Sequence, residues 1–189
     1  IYPDGKKLFL KDGRSSGLMH TLGDTTPTRI IAEGFSTGAS IHEATGHCVH
    51  IAFNCHNLKT VAESIRKAHP DTDLVIASDD DWKTEGNPDL IKGADAARSV
   101  KAKLAIPTWP EDQRGEKDTD FNDLALSHGP AHITTCIGRA APPAEEEMPA
   151  ENIQAVLNRL SELDQIEYDQ IRKTEAKKLG IRVDALQRP

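Results

Sequence analysis

Short apolar runs alternate with helix-periodic segments along most of the chain, and that alternation limits the possible folds more than any other feature. "TRIIAEG" reads as a strand ending at Glu33, and "FSTGASIHEATG" follows as a short helix closed by Gly46. "HCVHIAFN" (47–54) is a second strand. In "LKTVAESIRKA" the residues Leu58, Val61, Ala62, Ile65 and Ala68 fall on one helical face, with Asn57 as the expected N-cap. "LVIAS" is a third strand, and "NPDLIKGADAARSVKAKL" is a helix of about four turns, with Asn87 as its cap and Pro88 at its first position. "AIPTW" supplies a fourth strand, and the second half of "DTDFNDLALSHG" is helical. Such alternation implies right-handed βαβ crossovers. The expected fold is therefore α/β, a mostly parallel sheet of about four strands with helices on both faces.

The flanks differ from this pattern. "KKLFLKDGRSSGLMHTLG" (6–23) holds two β-like runs around turn residues, the pattern of an N-terminal β-hairpin, so residues 1–28 form a β extension before a main domain at 29–138. "RAAPPAEEEMPA" offers little to bury and reads as an exposed linker, 139–150. "AENIQAVLNRLSEL" and "QIEYDQIRKTEAKKLG" carry helical periodicity with many charges, giving a small helical appendage over 151–189. "AKKLGIRVDAL" has the outline of a helix-turn-helix, but helix, Gly and helix is a common turn anywhere.

At 189 residues the chain builds one full core with room for a small module. A formal charge of −7 argues against strong sequence-independent DNA binding by the whole surface and confines any nucleic-acid contact to a region. Cys48, Cys55 and Cys136 are odd in number and lack CxxC spacing, which suits reduced thiols in a cytoplasmic protein. No signal peptide or membrane-spanning run is evident, so no membrane partner is expected. A start at Ile1 without methionine and an end in polar sequence are expected of a segment from a larger protein.

The third strand ends in three consecutive aspartates, Asp79, Asp80 and Asp81. Adjacent ionised carboxylates repel one another, so their placement needs a compensating interaction. In open α/β sheets ligands bind outside the carboxyl ends of the strands, where this triplet emerges. A strand continued through it sends Asp79 and Asp81 to one side and Asp80 to the other. Glu33 ends the first strand in the same manner, and Asp120 and Asp123 follow the fourth. Three acidic clusters thus reach one edge, and a hard divalent cation, Mg²⁺ or Mn²⁺, is the simplest compensation. That chemistry suits phosphoryl transfer, with Glu33 as a proton-transfer group. The alternative is solvated loop acids and helix caps, which explains any single aspartate better than it explains three clusters after three strands.

"AEGFSTGASIHEATG", "ASDDDWKTEGNP" and "TDFNDL" resemble, in order and spacing, the Toprim domain shared by DnaG-type primases, topoisomerases and some nucleases. The likeness is greatest to the Toprim region of phage and plasmid primase-helicases, covers roughly 29–138, and extends to the flanking hairpin and the tail "EYDQIRKTEAKKLGIRV". It implies that Glu33 is the acid/base residue, that Asp79 and Asp81 are the metal pair with Glu33 and Asp120 nearby, and that Asp120, Asn122 and Asp123 form a third acidic motif. It further implies RNA primer synthesis on single-stranded DNA from nucleoside triphosphates, in a parent chain with zinc-binding and helicase domains. DnaG-type enzymes carry an aspartate four residues after the glutamate, and here that place is Thr37, a departure from that pattern. The rival functions are a Toprim nuclease and a non-catalytic nucleic-acid-binding or docking module.

Other signals are weaker. "HEATGH" lacks the spacing of a zinc protease helix, because the fourth place after His42 is Gly46. His47, Cys48, His50, Cys55 and His56 crowd one strand and its end, yet alternating strand positions face opposite ways, and core and surface roles are expected. "GFSTGAS" lacks a P-loop lysine and reads as a tight turn that lets a helix pack. Lys92, together with Lys6, Lys7, Lys11 and Arg14, is a candidate phosphate or nucleic-acid contact, with solvated charge as the alternative.

Overall fold

A computed structural model of the chain describes residues 15–144 and 157–178, which divide into two compact units after Pro143. The first unit is an α/β layer structure. Its strands are β1 (His20–Leu22), β2 (Thr28–Ala32), β3 (Cys48–Ile51), β4 (Asp73–Ala77) and β5 (Lys103–Ala105). They form one sheet in the order β1-β3-β2-β4-β5, parallel throughout except for β1, which runs antiparallel to β3 at the edge. The sheet therefore has five strands rather than four, because the apolar run before Gly23 joins it. The other run of the expected hairpin lies outside the described residues.

Two-residue alternation along the strands builds two cores. Ile30, Ala32, Val75 and Ala77 pack with Ile41 of α1 (Phe35–Thr45). Phe121 and Leu124 of α4 (Phe121–His128) and Ile133 and Ile137 of α5 (Pro130–Gly138) complete that face. Ile31, Leu74 and Ile76 point the other way, against α2 (Cys55–Ala68) and α3 (Pro88–Ser99). Each fully buried Ile or Leu contributes about 1.5–3 kcal/mol relative to exposure. In α1, Gly46 takes φ 67°, a left-handed C-cap that glycine adopts without steric cost. A Cβ on Gly38 would meet Ile51 Cγ1 at 2.9 Å, so the "GFSTGAS" turn serves close helix-on-sheet packing.

Several local expectations are corrected. Asn54, not Asn57, caps α2, its side chain accepting from Asn57 N. Asn57 is buried instead, its Nδ2 donating to the carbonyls of Leu18 and Ala52 and its Oδ1 accepting from Gly17 N at 2.7 Å. Asn87 stands at the cap position of α3 without a side-chain cap bond, because its Nδ2 donates to Asp80 Oδ1. That helix has 12 residues, about three turns, and ends where Lys101 turns through φ 52° into β5. The fourth parallel strand is Lys103–Ala105 rather than "AIPTW", since Pro107 offers no N–H to a ladder and Trp109 turns into the core. Helix α5 was not expected at all.

In the second unit, the described helices are α6 (157–162) and α7 (Gln165–Lys178). Leu160, Tyr168 and Ala176 form its core, and Arg159 pairs with Glu175 at 2.9 Å. Most of "AKKLGIRVDAL" lies outside the described residues.

Candidate active site

The parallel strands run β3-β2-β4-β5, so the crossover direction reverses between β2 and β4. That topological switch opens a crevice at the carboxyl ends of the two strands, the usual ligand position in such sheets. Glu33 directly follows β2, and Asp79 to Asp81 follow β4 after Ser78, starting two residues beyond the rung Ala32 to Ala77. Glu33 and the triplet thus flank the crevice from neighbouring strands.

Strand alternation sends Glu33 to the face of Ile31, toward the helix starts of α2 and α3. There the ligand atoms of Glu33, Cys55 and Asp89 all lie within 4.8 Å of one another, each residue half-buried. Desolvation first, then the hydrogen bond to Asp89 and the negative charges of Glu33 and Asp89, push the Cys55 thiol up to about 11. Lys92 opposes that shift, which places its charge beside the same group. Asp89 was absent from the sequence candidates; its signal is an acid in the first turn of a Pro-started helix.

Asp120 belongs to the opposite face. It caps α4, its Oδ1 accepting from Asp123 N at 2.9 Å, while Asp123 Oδ2 accepts from the backbone N–H of Thr119 and Asp120 to complete a capping box. Buried Thr37 donates from Oγ1 to Asp120 Oδ2 at 2.9 Å, and Ser40 Oγ donates to Asn122 Oδ1 at 3.0 Å. The third motif is therefore fastened to α1 by two hydroxyls.

The triplet does not continue β4. Its backbone leaves the ladder after Ser78 N bonds Ala105 O, because β2 and β5 end at the same level. Asp80 turns toward the 110–119 segment: its N–H donates to Thr119 O at 2.8 Å, and Arg114 donates to its Oδ2 at 2.6 Å and to its carbonyl at 2.7 Å. The Arg114 guanidinium also lies 4.5 Å from the Trp109 ring centre and 5.1 Å from that of Trp82. Asp81 accepts from Thr84 Oγ1 at 2.7 Å and closes a turn with Thr84 N. Sequence reasoning missed Arg114, since nothing local marks an arginine as the partner of an acid 34 positions away.

Glu33, Asp79, Asp81 and Asp120 are all half-buried carboxylates at one sheet edge, the donor type that suits Mg²⁺ or Mn²⁺. No three of them have ligand atoms within 4.8 Å of one another; among the described residues that spacing is met by Glu33, Cys55 and Asp89. The donors fit a hard cation in chemistry, and Glu33 is spatially grouped with Asp89. Lys6, Lys7, Lys11 and Arg14 lie outside the described residues. His47, Cys48 and His50 form no metal group; Cys48 Sγ and His50 Nε2 instead lie 4.0 and 3.4 Å from the buried Arg29 guanidinium. All three cysteines are free thiols, and no helix among the described residues is long and apolar enough to cross a membrane.

The sequence profile of the Toprim domain matches residues 28–131, more than half of the chain. The chain belongs to the Toprim family. Two proteins of Escherichia coli, both called DNA primase TraC, are similar to this Toprim chain. One is 40% identical over 118 residues (58% of this chain, 11% of the relative), the other 36% over 128 (59% and 9%). The matched part is thus about a tenth of those relatives' length. Among solved structures, a DnaG catalytic core has 14% identity and a TM-score of 0.44, covering 86% of this chain and 55% of that one. The RNA polymerase domain of Mycobacterium tuberculosis primase DnaG, in complex with a double-stranded DNA oligomer with a 6-nucleotide overhang, has 15% identity and a TM-score of 0.43 (82% and 52%).

Proposed function

We propose that this Toprim domain catalyses metal-dependent nucleotidyl transfer, the synthesis of RNA primers on single-stranded DNA from nucleoside triphosphates, as part of a mobile-element primase or primase-helicase. The observation that carries the reading is the arrival of Glu33 and of Asp79 to Asp81 on the two sides of the switch-point crevice, with Asp120 on the next segment. The similarity to proteins called DNA primase supports it.

Asp79 and Asp81 would hold Mg²⁺ or Mn²⁺, with Asp120 as a further carboxylate, and the ion when bound neutralises charge on the triphosphate. Glu33 accepts the proton of the attacking 3′ hydroxyl. Thr37 and the capping box orient Asp120, and Arg114 fixes the triplet by holding Asp80. Lys92, whose charge acts on Cys55, would meet a phosphate oxygen. Zinc-binding and helicase domains in the same polypeptide would complete the machine, which works in the cytoplasm.

Incubation with a single-stranded template, labelled nucleoside triphosphates and Mg²⁺, in the context of any flanking domains, tests this. Primers are expected from the wild type and not from Asp79→Ala/Asp81→Ala. Equal synthesis by that variant sinks the proposal. Nicking without incorporation would identify a nuclease, and a lack of Mg²⁺ or Mn²⁺ binding by calorimetry even with nucleotide would identify a docking module.

A further inference from the structure

The aromatic side chains of the described residues fall into two sets. Trp109, Phe121 and Tyr168 are buried, whereas Phe35, Phe53 and Trp82 are 53%, 38% and 46% exposed. Each exposed ring follows the carboxyl end of a strand: Phe53 after β3, Phe35 after β2, Trp82 after β4. Because those strands are neighbours in that order, the three residues succeed one another along the rim that carries the acids.

Two details separate this row from ordinary exposed apolar side chains. Phe53 takes φ 67°, a left-handed conformation that a bulky residue keeps only when its surroundings impose it, and its N–H is held on Glu33 O at 2.8 Å. The Trp82 ring carries two cations, Lys83 Nζ and the Arg114 guanidinium, each 5.1 Å from its centre, and Arg114 is locked by Asp80. Rings for stacking beside cations for phosphate are the elements with which proteins hold unpaired strands without reading sequence. A duplex keeps its base faces stacked inside and cannot use them.

We infer that Phe53, Phe35 and Trp82 form a stacking rim for single-stranded DNA, with Trp82 and its two cations as the anchor next to the metal-binding aspartates. The inference deepens the proposed priming function by assigning template contacts to residues of this sheet edge, and it rests on that reading for the strand's identity as template.

Fluorescence anisotropy of a labelled oligothymidylate with the protein, in Mg²⁺ and without nucleoside triphosphates, is the test. Trp82→Ala and Phe53→Ala are each expected to bind about tenfold more weakly, with Trp82→Phe within about threefold of wild type, as stacking of single bases predicts. Binding of a duplex of equal length should be unchanged by Trp82→Ala. If Phe53→Ala fails to fold by circular dichroism, Phe35→Ala takes its place. Wild-type affinity in the alanine variants, no binding by the wild type, or an equal loss for duplex overturns the rim. Because no nucleotide is present, a protein that binds in this manner but makes no primers refutes only the priming function. One that primes normally while the alanine variants bind like wild type refutes only the rim.

Discussion

Thr37 Oγ1 donates to Asp120 Oδ2 at 2.9 Å, joining the first helix after Glu33 to the cap of α4 across 83 positions of sequence. The resemblance to DnaG-type Toprim domains implies an aspartate at the place of Thr37. The hydroxyl turns what would be a carboxylate pair into a neutral donor and a charged acceptor. Thr37→Val should lower stability by about 1 kcal/mol, the usual net value of one buried hydrogen bond, read from urea unfolding. Thr37→Asp should lower it further without divalent ions, and Mg²⁺ should restore its melting temperature more than that of the wild type.

Arg114 and Asp80 are three-quarters or more buried and pair at 2.6 Å. Arg114→Ala removes that pair and the cation between Trp82 and Trp109, leaving Asp80 charged and partly desolvated. A loss of about 2 kcal/mol is expected by chemical denaturation. Arg114→Lys should recover only part of it, because a point charge cannot bond the carboxylate and carbonyl of Asp80 together. Full stability in Arg114→Ala would show that the triplet is held by other contacts.

His50 is pushed down to about 4 by burial, by the Arg29 guanidinium and by His69, and its Nδ1 lies 2.9 Å from Thr21 Oγ1. The neutral ring is thus the native form. The unfolded chain binds its proton below about 6.5, the folded one only below about 4, so stability is fully present above 6.5 and falls as pH drops through that window. His50→Gln should lose about 3 kcal/mol less than the wild type between pH 7 and pH 4, measured by urea unfolding across pH. Parallel pH curves for the two proteins would contradict the buried neutral histidine.

Cys55 should be a slow thiol. With its proton held to about 11 by burial, Asp89 and Glu33, its thiolate fraction at pH 8 is about a hundredfold below that of a thiol at the ordinary value of 9.0. Alkylation by iodoacetamide, followed by mass spectrometry, should be correspondingly slow, and Asp89→Asn should speed it by removing a hydrogen bond to the neutral form and a negative charge. A Cys55 that reacts at the rate of a free thiol would place it away from Glu33 and Asp89.

The local grammar of the chain determined most of its elements. Apolar runs of strand length, the αL glycine at 46 and the Pro88 start each depend on neighbours within a turn or two, so β2, β3, β4 and the helices between them were legible. Helix α5 is not among the elements read from the sequence, although Gly129 at φ 82° ends α4 and opens α5 just before Pro130. The acids' arrival at one edge followed from strand direction alone.

Which acids meet there was a tertiary decision. Strand alternation and the abutting starts of α2 and α3 put Glu33 with Cys55 and Asp89, while the capping geometry of α4 gave Asp120 to Thr37. Asp80 found Arg114 because a long loop returned over the triplet. Each of those partners lies tens of residues away along the chain. Side-chain direction and loop path depend on packing across the whole sheet, and no local pattern encodes them.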